Sequence, residues 1–179
     1  MKSVLFKKRH FARSLLNGAT ILLLAFAVPG CSMLFGGKKV FTVSVPDSLA
    51  PVGDLNFEGK NMIDGQATTA WQTSKPVGKA VILQLSEESD VSNIRIKNGH
   101  HWVNHPKYGD LWTSNARIKK ASLFVNGVYR KTLEFSSVYS EWDEFDIDAD
   151  DANTISVKIE SVYPGAKWND LAISEIEVR

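Results

Sequence analysis

Apolar and polar residues alternate one for one along most of this chain from Lys39 onward. Phe41, Val43 and Val45 are separated by Thr42 and Ser44, Ile94 and Ile96 by Arg95, Phe145 and Ile147 by Asp146, and Ile155, Val157 and Ile159 by Ser156 and Lys158. A period of two sends successive side chains to opposite faces, which marks strands with one face on a core and one in water. Residues 81–85 are apolar except for Gln84, and predict a strand nearer the middle of a sheet. Asn126-Gly127 separates the runs 121–125 and 128–133. A two-residue type I′ turn needs positive φ at both central positions, so this pair predicts a β-hairpin. No window of helical length carries apolar residues at i, i+3 and i+4. The predicted fold is all-β, an antiparallel β-sandwich with long connecting loops.

The first 30 residues break the alternation. Lys2, Lys7, Lys8, Arg9 and Arg13 form a basic leader ahead of an apolar stretch from Ala19 to Val28. That stretch has signal-peptide length and is too short for a stable membrane span. It ends in Val28-Pro29-Gly30-Cys31, which resembles the bacterial lipobox, with Pro29 an uncommon residue at its position. Cys31 is the single cysteine of the chain, so no intramolecular disulfide can form and lipidation is its expected role. Stable anchoring takes two or more acyl chains, each buried methylene contributing about 0.8 kcal/mol. Ser32 resembles the residues that direct lipoproteins to the outer membrane of Gram-negative cells. The expected organisation is a signal peptide over 1–30, lipidated Cys31 and a short tether over 31–38, and one domain over 39–179. The expected location is the bacterial cell envelope, held to the outer membrane through Cys31.

Cleavage after residue 30 would remove 5 of the 21 basic residues and none of the 20 acidic ones, leaving 16 against 20 and a net charge of −4. Phosphate backbones need a basic patch, so nucleic acid is not an expected partner. No Gly-x-Ser-x-Gly elbow, His-Glu-x-x-His or phosphate loop occurs, and the acidic pairs read as strand surface, so no enzyme is expected. Taking Asp146 as the first position of an EF-hand places Asp151 where Gly belongs and Val157 where Glu belongs, which excludes that motif.

Residues 99–114 gather His100, His101, Trp102, His105, Tyr108 and Trp112 among turn formers. Aromatic faces stack on the apolar faces of sugar rings while polar neighbours bind hydroxyls, so this loop is the candidate ligand site. The competing reading folds these rings over the end of the sandwich. The spacing of His100, His101 and His105 matches no standard transition-metal motif.

Two further stretches specify the fold. Asn61-Met62-Ile63-Asp64-Gly65 is followed, after five residues that include Thr69, by Trp71, and Ser174-Glu175-Ile176-Glu177-Val178 stands at the C-terminus. Together they resemble the discoidin-like, or galactose-binding-like, jelly roll of coagulation-factor C-type domains and carbohydrate-binding modules. Ile96-Lys97-Asn98-Gly99, the run 115–120 and the run 161–170 narrow the resemblance to the glycan-binding domain attached to NAD glycohydrolases.

That resemblance implies a structural Ca2+ held by the side chains of Asp64, Thr69 and Glu175 and the carbonyls of Asn61, Gln66 and Ala172. Gln66 stands where the family often has an acidic residue, and the competing reading is a metal-free loop in which Asp64 caps backbone N–H groups. It further implies that Asn115, Arg117 and Lys119 join His100, Trp102, Tyr108 and Trp112 at the ligand site, with Tyr163 and Trp168 as the opposite wall. The expected function is that of a non-catalytic envelope lipoprotein that binds carbohydrate. The alternative is an envelope lipoprotein that docks a protein partner through the same loops.

Overall fold

The computed structural model describes residues 37–179. The expected signal peptide and Cys31 lie outside the described residues. Seven strands follow one another: β1 (Phe41–Ser44), β2 (Trp71–Thr73), β3 (Ala80–Asn98), β4 (Arg117–Val125), β5 (Val128–Glu134), β6 (Asp143–Tyr163) and β7 (Leu171–Val178). A 3-10 turn (Gly59–Ile63) and a single helical turn, α1 (Leu111–Ser114), interrupt the loops. The named strands pair antiparallel in the order β2-β7-β3-β6-β4-β5, with β1 added beside β3.

Two long strands, β3 and β6, build both layers. The first half of β3 lies between β1 and the second half of β6, and its second half lies between β7 and the first half of β6. Between the halves the register breaks at Gln84/Ser89, Ser89/Val91 and Val91/Asn93. Opposite these breaks Asp148 and Asp151 adopt φ of 48° and 51°, a region that short polar side chains tolerate. Such irregularities bend a strand, so one continuous ladder folds into two layers.

The alternation seen in the sequence decides what lies between them. Phe41, Ile94, Ile96, Ile147, Ile155, Val157 and Ile159 all face the core, together with wholly buried Met62 and Trp71. Residues 81–85 are central in the ladder, but Ile82 is 42% exposed, so even this apolar run keeps one wet face. The hairpin forms as its residues predict. Val125 pairs with Val128, and Asn126 and Gly127 take φ of 50° and 77°.

The ends of β7 define the ends of the domain. Leu171 follows the loop over 164–170, beside Ala116 and α1, whereas Val178 accepts a hydrogen bond from the Lys39 N–H. Eight residues of strand span about 27 Å. The loops of interest therefore emerge at the end of the domain opposite to the entry of its N-terminal segment.

Candidate functional site

The 3-10 turn delivers Asp64, and Gly65 at φ 77° reverses the chain. Asp64 Oδ1 accepts from the Gln66 N–H at 2.8 Å. The Thr69 hydroxyl lies 3.0 and 2.8 Å from the two Asp64 oxygens and 2.8 Å from the Gln66 carbonyl. One hydroxyl proton cannot serve three acceptors, so this corner holds more lone pairs than donors. Glu175 reaches the same corner from β7. It is 3% exposed, its Oε1 has no partner, and its carboxyl is pushed up to about 7, first by burial and then by its hydrogen bond to and repulsion from Asp64. Two carboxylates, a hydroxyl and a carbonyl make a hard-oxygen donor set of the kind Ca2+ takes. Among the described residues no group of three or more His, Cys, Asp or Glu converges, so hydroxyl and carbonyl oxygens would have to complete the shell.

The two other expected carbonyl donors have different surroundings. The Asn61 side chain clamps the base of the loop, donating to the Asn56 carbonyl, Asn56 Oδ1 and the Ala70 carbonyl at 2.9–3.0 Å. The Ala172 carbonyl accepts from the Gly99 N–H at 3.1 Å, which uses it in the join between β7 and the end of β3.

A pocket of about 320 Å³ opens at the loop end of the sandwich. Leu49, Val52, Leu55 and Phe57 form one wall, and Tyr108, Leu111 and Trp168 the other. Its polar groups are Gln72, His100, Asn115 and Asp170. Tyr108 and Trp168 meet edge to face with ring centroids 6.2 Å apart, and Trp168 is 37% exposed. Trp168 is set there by its backbone, since its N–H donates to the Ser114 carbonyl at 2.8 Å. Gly165 permits this close approach, because a Cβ at that position would stand 2.2 Å from the Trp168 carbonyl oxygen and 2.3 Å from that of Ser114.

His100 is 1% exposed and hydrogen-bonded through both ring nitrogens. Nε2 is 2.9 Å from the Thr68 carbonyl, which can only accept, so Nε2 carries the proton and Nδ1 accepts from Gln72 Nε2 at 2.9 Å. Burial holds its pKa below the usual imidazole value and keeps the ring neutral.

Of the eight expected ligand residues, the structure brings His100, Tyr108, Asn115 and Trp168 to this pocket. Trp102, Trp112, Arg117 and Tyr163 do not line it. Trp112 is buried beneath the loop, its indole donating to the Asn98 carbonyl at 2.9 Å and its face covered by the Arg117 guanidinium at 3.9 Å. Arg117 is occupied in turn by the Trp112 carbonyl at 2.8 Å. Trp102 packs on His105 at 4.3 Å, and the Tyr163 hydroxyl donates to the Phe135 carbonyl. Lys119 stands over the Tyr163 ring. The wall from Leu49 to Phe57 was not anticipated, because its apolar residues follow neither strand nor helix spacing. Gln72, buried polar beside Trp71, was missed as well.

Solved structures share this fold at low sequence identity. A Clostridium perfringens module in complex with GalNAc-β-1,3-galactose is 16% identical with a TM-score of 0.56, over 77% of this chain and 94% of that one. The family 32 carbohydrate-binding module of C. perfringens NanJ, in complex with galactose, is 18% identical with a TM-score of 0.56, over 77% and 92%. The family 32 module of Streptococcus pneumoniae EndoD is 14% identical with a TM-score of 0.56, over 79% and 98%. No curated protein sequence matches the chain. A family model described as the NAD glycohydrolase translocation F5/8 type C domain matches residues 35–179, and the chain belongs to that discoidin-like family.

Proposed function

We propose that this domain is a non-catalytic carbohydrate-binding module of a bacterial envelope lipoprotein, tethered to the outer membrane through Cys31. The observation that carries the reading is the pocket itself. A rim of Tyr108 and half-open Trp168 offers ring faces, and His100, Gln72, Asn115 and Asp170 offer donors and acceptors within one cavity of about 320 Å³. That is the division of labour a sugar ring requires, with apolar faces stacked and hydroxyls hydrogen-bonded. The structural neighbours solved with galactose and with GalNAc-β-1,3-galactose support the reading by analogy of fold.

Ca2+ belongs to this proposal in a structural role. Asp64, Thr69, Glu175 and the Gln66 carbonyl would hold it, and the unpartnered Glu175 Oε1 is the group that most needs it. When bound, the ion supplies the positive charge that buried Glu175 and its exposed neighbour Asp64 lack. Asp64 and Glu175 then define the loop that supports His100.

The test is glycan-array binding by the mature chain carrying Cys31→Ser, in Ca2+ and in EDTA. Saturable binding to a defined glycan class supports the reading. Silence from folded protein, together with saturable binding to a purified envelope protein, replaces it with the docking alternative.

A further inference from the structure

Resting on that reading, we infer that the carboxylate loop and the pocket form one coupled unit, in which His100 positions the pocket wall according to cation occupancy. Thr68 immediately precedes Thr69, whose hydroxyl bridges Asp64 and the Gln66 carbonyl. The Thr68 carbonyl accepts from His100 Nε2 at 2.9 Å, and His100 and its partner Gln72 both line the pocket. A second tie runs in parallel. Ser174 Oγ donates to the Ala67 carbonyl at 2.9 Å and accepts from the His101 N–H at 2.9 Å. Two adjacent carbonyls of the loop, 67 and 68, are thus fastened to two adjacent residues of the ligand loop, 100 and 101. Ser174 also directly precedes Glu175 on β7, so the second tie is anchored on the strand that carries the carboxylate.

Burial makes the ties consequential. His100 is 1% exposed and Ser174 is fully buried, so a ring nitrogen or hydroxyl that loses its loop carbonyl is left inside the protein without ready access to water. The carbonyls themselves belong to the part-exposed loop. A loop that shifts when Asp64, Thr69 and Glu175 are no longer gathered around a cation would draw the Thr68 carbonyl away from Nε2 or carry the ring with it. Either movement alters the pocket wall. Coupling of this kind is reciprocal, so whatever fills the pocket tightens cation binding by the same factor.

The test needs no knowledge of the glycan. The mature chain with Cys31→Ser is labelled with 5-fluorotryptophan, and the Trp168 resonance is assigned by Trp168→Phe. Ca2+ is titrated from the apo state by calorimetry and by fluorine NMR. The expected result is saturable Ca2+ binding that shifts the Trp168 resonance in step. His100→Phe removes both ring hydrogen bonds, and should weaken Ca2+ binding roughly five- to tenfold while uncoupling the Trp168 shift, the scale of one net hydrogen bond. His100→Gln, which keeps a donor for the Thr68 carbonyl, should restore the coupling. Ser174→Ala cuts the second tie and serves if His100→Phe fails to fold. Ca2+ binding that leaves Trp168 unmoved overturns the coupling and leaves the calcium reading intact. An absence of Ca2+ binding overturns both. Coupling seen in a protein that is silent on the glycan array supports the inference and overturns only the assignment of the pocket to carbohydrate.

Discussion

Glu175 shows how a single side chain can set the conditions under which the domain is stable. Its carboxyl is raised to about 7 in the folded state, above the ordinary value of 4.5. Between those two values the folded chain holds a proton that the unfolded chain has released, so the stability this group contributes falls as pH rises. Without cation, the wild type should therefore lose stability relative to Glu175→Gln between about pH 4.5 and 7, by on the order of 2 kcal/mol or about 5 °C in Tm. The comparison with Glu175→Gln is necessary because buried His101, lowered to about 4, acts in the opposite direction and loses stability as pH falls. Thermal denaturation of both proteins in EDTA at pH 5 and pH 7.5 provides the check, and Ca2+ should remove the difference. Trp112 makes a contrasting case. It is buried against Arg117 and beneath Gly99, where a Cβ would stand 2.7 Å from its ring. Trp112→Ala should accordingly cost about 3–5 kcal/mol in chemical denaturation, as a core truncation does.

At the scale of elements, two turns carry distinct burdens. Asn126 does more than adopt positive φ in the β4–β5 hairpin. Its Oδ1 accepts from the N–H groups of Asn153 and Thr154 and its Nδ2 donates to the Asp151 carbonyl, which braces the hairpin against the bend of β6. Asn126→Ala should cost about 2 kcal/mol by denaturant titration, more than the turn conformation alone would explain. Gly165 bears on binding instead. Gly165→Ala forces its loop away from Ser114 against three backbone contacts and displaces Trp168, so glycan affinity should fall at least tenfold and Tm should fall with it. An unchanged affinity in a variant whose Tm has fallen would show that the position of Trp168 does not matter to binding.

For the whole molecule, the layers were legible in the sequence because their physics is local. A period of two records which face is wet, and Asn-Gly records a backbone angle. The resemblance brought Asp64, Thr69 and Glu175 to attention, and the fold does bring them to one corner across 111 residues of chain. The ligand loop was harder to read, since an aromatic residue in a turn-rich segment looks alike whether it faces in or out. Trp112 is turned inward by the missing side chain at Gly99 and the guanidinium of Arg117, and Trp168 is turned outward by the carbonyl of Ser114. Those are tertiary causes. The wall from Leu49 to Phe57 acquires its meaning only when β2 and α1 close against it.

Carbohydrate binding at the Trp168 end of the sandwich is open to a direct test. The most direct measurement is a glycan array in Ca2+ with wild type, Tyr108→Ala, Trp168→Ala and Trp102→Ala side by side. Binding should be lost in Tyr108→Ala and Trp168→Ala, which open the pocket rim, and retained in Trp102→Ala, whose ring packs on His105. Binding that survives Trp168→Ala and disappears with Trp102→Ala would contradict it.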